Sequence, residues 1–238
     1  MTMERPTGAD GSCSDILSLL RERAAAQPEH SALGEADGEV LTYAALLARI
    51  EGLAAALRAH GSRIGIVLPN GLAMSQALLA VTCVGAALPY NPAYTEPEFE
   101  AYFRDMHLSA LLTRPAFAPA AERVAARLGI PVLDLDALGQ EMQGASDHSP
   151  PSPDAIAVVL LTSGSTGKPK RVPLSHRNVC TSARHVSRSM DLGPGDRCLS
   201  MWELYHIGGL VDLLLATLDA GVRGRMRSST TGAIGSGL

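Results

Sequence analysis

The feature that most restricts how this chain can fold is a change of chemistry over residues 160–173, Leu-Leu-Thr-Ser-Gly-Ser-Thr-Gly-Lys-Pro-Lys-Arg-Val-Pro. An apolar run, Ala155 to Leu161, has the continuity of a strand covered on both faces. Within one residue it passes into hydroxyls, two glycines and three cations, a set that packing does not explain and a phosphate does. Thr162, Ser163, Ser165 and Thr166 offer hydroxyl donors, Lys168 and Lys170 offer charge, and a loop free of bulky side chains can turn its amide N–H groups inward. Gly164 and Gly167 permit positive φ and a close approach of backbone to an anion. A Ser/Gly-rich surface turn is the plainer alternative. The strand in front and the ordered Lys168-Pro169-Lys170 ending favour the phosphate.

The spacing excludes a Walker P-loop. That motif needs four residues between its first glycine and the Gly-Lys pair, then a hydroxyl for magnesium. Here only Ser165 and Thr166 separate Gly164 from Gly167, and Pro169 follows the lysine.

Around this loop the chain alternates strand and helix patterns. Ser14 and Asp15 stand where a helix wants its cap, before a stripe of Ile16, Leu17, Leu19, Leu20 and Ala24 that stops at Pro28. Glu35-Ala-Asp-Gly38 reads as a turn between short extended pieces. Apolar residues from Leu46 to Leu57 recur at helical spacing until Gly61. Arg63–Leu68, Ser109–Thr113 and Pro131–Leu135 read as strands, and Leu72–Val84 and Ala116–Leu128 as helices. Thr95 caps a further helix whose Phe99, Tyr102, Phe103 and Met106 suit a packed face better than a ligand box. After the loop, Ser175 caps a helix from His176 to about Met190, and Asp196–Met201 is another strand. His176 and His185 do not share a metal-ligand face, so both read as partly exposed.

This pattern predicts an α/β fold of layered, mostly parallel sheets with helices on both faces. Its expected organisation is a polar leader over 1–13, a first α/β subdomain over 14–138, a polar linker over 139–153, a second subdomain opening over 154–221 with the loop, and a disordered tail over 222–238. Cys13, Cys83, Cys180 and Cys198 lack metal or disulfide spacing and read as reduced and packed. A formal charge of −4 without any Lys/Arg run argues against a nucleic-acid partner. No signal-peptide pattern and no apolar stretch of membrane-spanning length is evident, which points to the cytoplasm.

Leu161-Thr-Ser-Gly-Ser-Thr-Gly-Lys-Pro-Lys170, followed by Val172-Pro-Leu-Ser-His-Arg-Asn178, resembles the phosphate-loop signature of the adenylate-forming superfamily. That group contains acyl-CoA synthetases, nonribosomal-peptide adenylation domains and luciferases. Two further stretches are similar: Gly85-Ala-Ala-Leu-Pro-Tyr-Asn-Pro-Ala-Tyr94, with its Gly-Ala and Asn-Pro pairs, and Met201-Trp-Glu-Leu-Tyr-His-Ile-Gly-Gly-Leu210, with its aromatic, His and glycines. Glu203 stands where the family often has proline. The resemblance covers about residues 14–221, roughly the first half of the family's large domain.

The resemblance implies that the loop from Thr162 to Lys170 holds the β- and γ-phosphates of ATP in the presence of Mg2+. It implies also that Tyr205, His206 and Gly208 border the pocket for a small-molecule carboxylic acid, with coenzyme A as acyl acceptor. No catalytic residue and no protein metal ligand is implied within this stretch. The family's later adenine, ribose and lysine elements do not occur; Tyr94-Thr95-Glu96 and Thr231-Gly232-Ala233 are chance likenesses to two of them. The expectation is an acid–thiol ligase of the acyl-CoA synthetase type, truncated and inactive alone, whose incomplete sheet would promote self-association. The alternatives are a non-catalytic fragment or nucleotide-binding module and, among enzymes, a nonribosomal adenylation domain.

Overall fold

The computed structural model describes residues 14–140, 149–162 and 170–227. The first helix, α1 (Ile16–Ala26), starts where the Asp15 carboxylate accepts from the Ser18 N–H at 2.9 Å. A hairpin of β1 (Ser31–Glu35) and β2 (Val40–Thr42) follows, and the Thr42 hydroxyl caps α2 (Tyr43–Leu57). Next come β3 (Arg63–Ile66), α3 (Leu72–Thr82), β4 (Ala86–Pro89), α4 (Glu96–Met106), β5 (Ala110–Thr113), α5 (Pro119–Arg127), β6 (Val132–Asp134) and α6 (Leu135–Gln140). Thr95 and Glu98 form a capping box at the start of α4.

Beyond residue 149 the chain forms β7 (Ile156–Thr162), β8 (Lys170–Ser175), α7 (His176–Ser189) and β9 (Arg197–Ser200). A wide, π-type helical segment over Gly208–Leu215 runs into α8 (Ala216–Ala220), and β10 (Arg223–Met226) ends the described part.

These strands make a six-stranded sheet in the order β6-β5-β3-β4-β7-β8 and a four-stranded sheet in the order β2-β1-β10-β9. In the first, every pairing is parallel except β7 with β8; in the second, every pairing is parallel except β1 with β2. Alternate side chains of the six-stranded sheet enter different cores. Ile64, Ile66, Ala87, Ala110 and Leu112 join the larger core, which includes the buried faces of α1, α2, α3, α7 and α8. Leu88, Tyr90 and Leu111 face a smaller core under α4 and α5. Both faces are covered, which is why these strands read as unbroken apolar runs.

The strands on either side of the 139–153 boundary share sheets, so the two predicted subdomains do not stand in series. β7 adds to β4 through Ala87 and Val158, while β10 inserts beside β1 through Leu33 and Gly224. The tail expected from Val222 is also corrected. Val222 and Met226 are buried, and Arg223–Met226 pairs on both edges, with β1 and with β9. A four-residue strand rich in arginine carries too short an apolar period to read as one. Residues 1–13, 141–148 and 228–238, which hold the leader, most of the linker and the remaining tail, lie outside the described residues.

His176 departs from the sequence reading as well. It is 1% exposed, and its Nδ1 accepts from the Ile16 N–H at 3.3 Å, so it ties the start of α7 to the start of α1. His185 is exposed, as read. Cys83 and Cys180 are buried free thiols, and burial pushes both up to about 12. Cys198 is partly exposed in β9, and Cys13 lies outside the described residues.

Candidate functional site

The candidate site is built at the carboxyl ends of parallel strands, where ligands of open α/β sheets bind. β7 brings Thr162 to that edge, and β8 returns from it at Lys170. The two residues are register partners across the hairpin, with the Thr162 hydroxyl 3.5 Å from the Lys170 carbonyl. Both are exposed. Ser163, Gly164, Ser165, Thr166, Gly167 and Lys168 lie outside the described residues. Lys170 is thus an exposed cation at the first described position after the loop. Its neighbour Arg171 pairs with Asp105 at 3.4 Å, which commits that cation to α4.

Ser175 ends β8 and begins α7 with a capping box, its hydroxyl accepting from the Asn178 N–H while Asn178 Oδ1 accepts from the Ser175 N–H. The chain therefore leaves the loop through a strand and enters a well-capped helix, which fixes the Lys170 end.

The second group of predicted residues sits on the segment between β9 and the π-type helix. Leu204 is fully buried and anchors it, leaving Tyr205 half-buried and His206 exposed beside each other, ring centroids 4.6 Å apart at 59°. The Tyr205 phenol is pushed up chiefly by burial, then by Glu203 and Tyr94. Tyr94, from the loop after β4, is thus a neighbour that the sequence did not assign to the site. It packs against Phe99 and Tyr102, both of which serve the smaller core, as their helical spacing suggested.

Two glycines let this segment fold back on itself. A Cβ on Gly208 would strike the Trp202 ring, and one on Gly209 would strike the Glu203 carbonyl oxygen. Gly208 therefore shapes the turn that carries Tyr205 and His206. Glu203, found in place of the family's frequent proline, contributes its backbone to that close approach.

Sequence reasoning missed Asn70. It lies in the Pro69-Asn70-Gly71 turn after β3, is 6% exposed, and bonds through its side chain to the backbone of Trp202, Leu204 and Arg227. A buried asparagine in a turn at the ligand edge of a sheet was the available signal. Asn70 brings the Tyr205–His206 segment to the end of β3. One strand, β4, separates β3 from β7, so the ends of these two strands are about 10 Å apart across the sheet.

Clefts of about 580 Å3, beside α4 over β4 and β7, and about 700 Å3, near Gln76 and Arg114, lie away from these residues. Among the described residues no cluster of three or more His, Cys, Asp or Glu side chains could hold a metal ion.

Fold and topology together define an α/β class whose ligand edge lies at the carboxyl ends of parallel strands. Comparison with known proteins narrows this. The model of the AMP-binding enzyme family matches residues 20–231, and the chain belongs to that family. It is 35% identical over 222 residues to sulfoacetate–CoA ligase of Cupriavidus necator, covering 87% of this chain and 43% of that protein. Against oxalate–CoA ligase of Arabidopsis thaliana the identity is 32% over 231 residues, covering 87% and 44%. The structure of ATP-bound MatB from Rhodopseudomonas palustris matches with a TM-score of 0.80 at 26% identity, covering 90% of this chain and 44% of that one. The chain spans less than half the length of these relatives.

Proposed function

We propose that this chain supplies the nucleotide-phosphate and acyl-binding parts of an ATP-dependent acid–thiol ligase of the acyl-CoA synthetase type. The observation that carries the reading is the placement of Thr162 and Lys170 as facing ends of the signature loop at the carboxyl edge of the parallel sheet. A hydroxyl and an ammonium at that edge fit a polyphosphate. The loop over Thr162–Lys170 holds the β- and γ-phosphates, and Tyr205, His206 and Gly208 border the acid.

In the reaction, a carboxylate oxygen attacks the α-phosphorus of ATP. The acyl–phosphate bond forms, the bond to the β-phosphate's bridging oxygen breaks, and pyrophosphate leaves. A thiol, that of coenzyme A, then attacks the acyl carbon and AMP departs. Magnesium, bound with the nucleotide, neutralises phosphate charge. What this chain's residues do is position and stabilise charge, which is the larger part of such catalysis. The substrate is a small-molecule carboxylic acid, the compartment the cytoplasm, and the open sheet edge a site of self-association.

A second reading is nucleotide binding without turnover. One experiment separates the two. ATP–pyrophosphate exchange is measured with a panel of carboxylic acids, alongside calorimetric ATP binding on the same preparation. Acid-dependent exchange supports the ligase; ATP binding without exchange supports the binding module; neither sinks both. Changing Lys168 and Lys170 together to Ala is expected to weaken ATP binding at least about tenfold with an unchanged circular-dichroism spectrum. Unchanged affinity would move the phosphates elsewhere.

A further inference from the structure

The segment carrying Tyr205 and His206 is joined to the six-stranded sheet through one buried amide. Asn70 Nδ2 donates to the Trp202 carbonyl at 3.2 Å and to the Arg227 carbonyl at 3.5 Å, and its Oδ1 accepts from the Leu204 N–H at 3.1 Å. One side chain thus spans partners 132, 134 and 157 residues away, on the exit of β9 and the exit of β10. Its own turn is fixed in place: the Glu35 carboxylate accepts from the Leu72 N–H at 2.7 Å, just past Gly71 at φ +135°.

We propose that Asn70 is a positioning residue of the acyl site, holding Trp202 and Leu204 so that Tyr205 and His206 stand at a set height above the ends of β3 and β10. This rests on the acyl-site reading of Tyr205 and His206 given above. Leu204 is the pivot: its side chain is buried at 0% exposure and its N–H is held by Asn70, so the two residues that follow it have little freedom to move.

Only an amide of this length meets the demand, because the site needs donors toward two carbonyls and an acceptor toward one N–H. Aspartate keeps the acceptor but sets a carboxylate against two carbonyl oxygens. Alanine leaves two carbonyls and one N–H without their partner. Glutamine restores the chemistry one methylene too far out.

Asn70→Ala, Asn70→Asp and Asn70→Gln test this in the full chain. Amide hydrogen exchange over residues 202–206 and the emission of Trp202, the single tryptophan of the chain, report the segment without any ligand. Carboxylate and ATP affinities are measured calorimetrically on the same preparations. Asn70→Ala is expected to speed exchange at Leu204 at least about tenfold, to shift the Trp202 emission, and to weaken carboxylate binding about tenfold while ATP affinity stays within about twofold. Asn70→Asp should keep Leu204 protection but still weaken carboxylate binding, and Asn70→Gln should recover part of both.

Unchanged exchange and emission in Asn70→Ala would overturn the proposal. So would an equal loss of ATP and carboxylate affinity, which marks a general stabilising role. If the wild type binds no carboxylate of the panel, the acyl-site reading alone falls, and the exchange and emission comparison still decides the role of Asn70.

Discussion

His176 shows how one buried residue links pH to stability. Burial is the main cause that holds its imidazole below the usual histidine value of 6.5, opposed by nearby Asp15 and by a backbone hydrogen bond at Thr82. The folded state therefore keeps it neutral, while the unfolded chain takes up a proton as pH falls through 6.5. The unfolded state binds more protons in that window, so stability is complete above it and is lost as pH falls toward the folded value. Urea midpoints from about pH 8 to about pH 5 should decline, and His176→Gln should flatten that part of the decline. A variant with the wild-type slope would assign it to other groups. Cys83 and Cys180 follow the same logic of burial: with thiols pushed up to about 12, they should stay silent to a thiol reagent at neutral pH until the protein unfolds. Rapid labelling of either would mean that the helices around them open readily.

Elements with caps or long apolar periods were legible, and the element with neither was not. Ser175 and Thr95 announced their helices because a side-chain oxygen before an apolar stripe has a local purpose, and substituting Ser175 by Ala is expected to cost about 1 kcal/mol in a denaturant titration. Strand β10 has no such local signal. Its Arg223 and Arg225 are polar, Val222 and Met226 are buried in the folded chain, and the strand's pairing partners β1 and β9 are distant in sequence or reached over a helix. Arg225 donates to the Glu35 carbonyl at 2.7 Å, a contact across 190 residues. The site divides the same way. The loop residues are proposed from their chemistry in sequence, and Tyr205 and His206 from resemblance, whereas Asn70 gains its meaning from partners more than 130 residues on. Limited trypsin digestion tests β10: Arg223 and Arg225 should resist cleavage in the native protein, and early cutting there would show that the strand is not stably paired. Met226→Ala, which hollows the core between β10 and the helices, should lower stability by about 2–5 kcal/mol.

At the scale of the molecule, the helical layer holds the two sheets together, and among the described residues the four-stranded sheet ends at β9. That strand pairs with β10 alone among the described residues. Leu199 within it is 53% exposed, and with Met190, Met201, Trp202 and Ile207 it puts five of the eight exposed large apolar side chains among the described residues into the span 190–207. An unpaired strand edge flanked by apolar side chains is a template for pairing with another chain. The β6 edge of the larger sheet carries one such residue, Val132, at 44% exposure, with no other near it in sequence among the described residues. Self-association should therefore run through β9. Sedimentation velocity is expected to show a concentration-dependent shift from monomer to larger species for the wild type, and Leu199→Lys should suppress it because a charge on an edge opposes pairing. Val132→Lys should leave the shift in place, and both variants should bind ATP as the wild type does, since neither position touches the Thr162–Lys170 hairpin. A monomer at every concentration would sink the idea, and suppression by Val132→Lys alone would place the contact on β6.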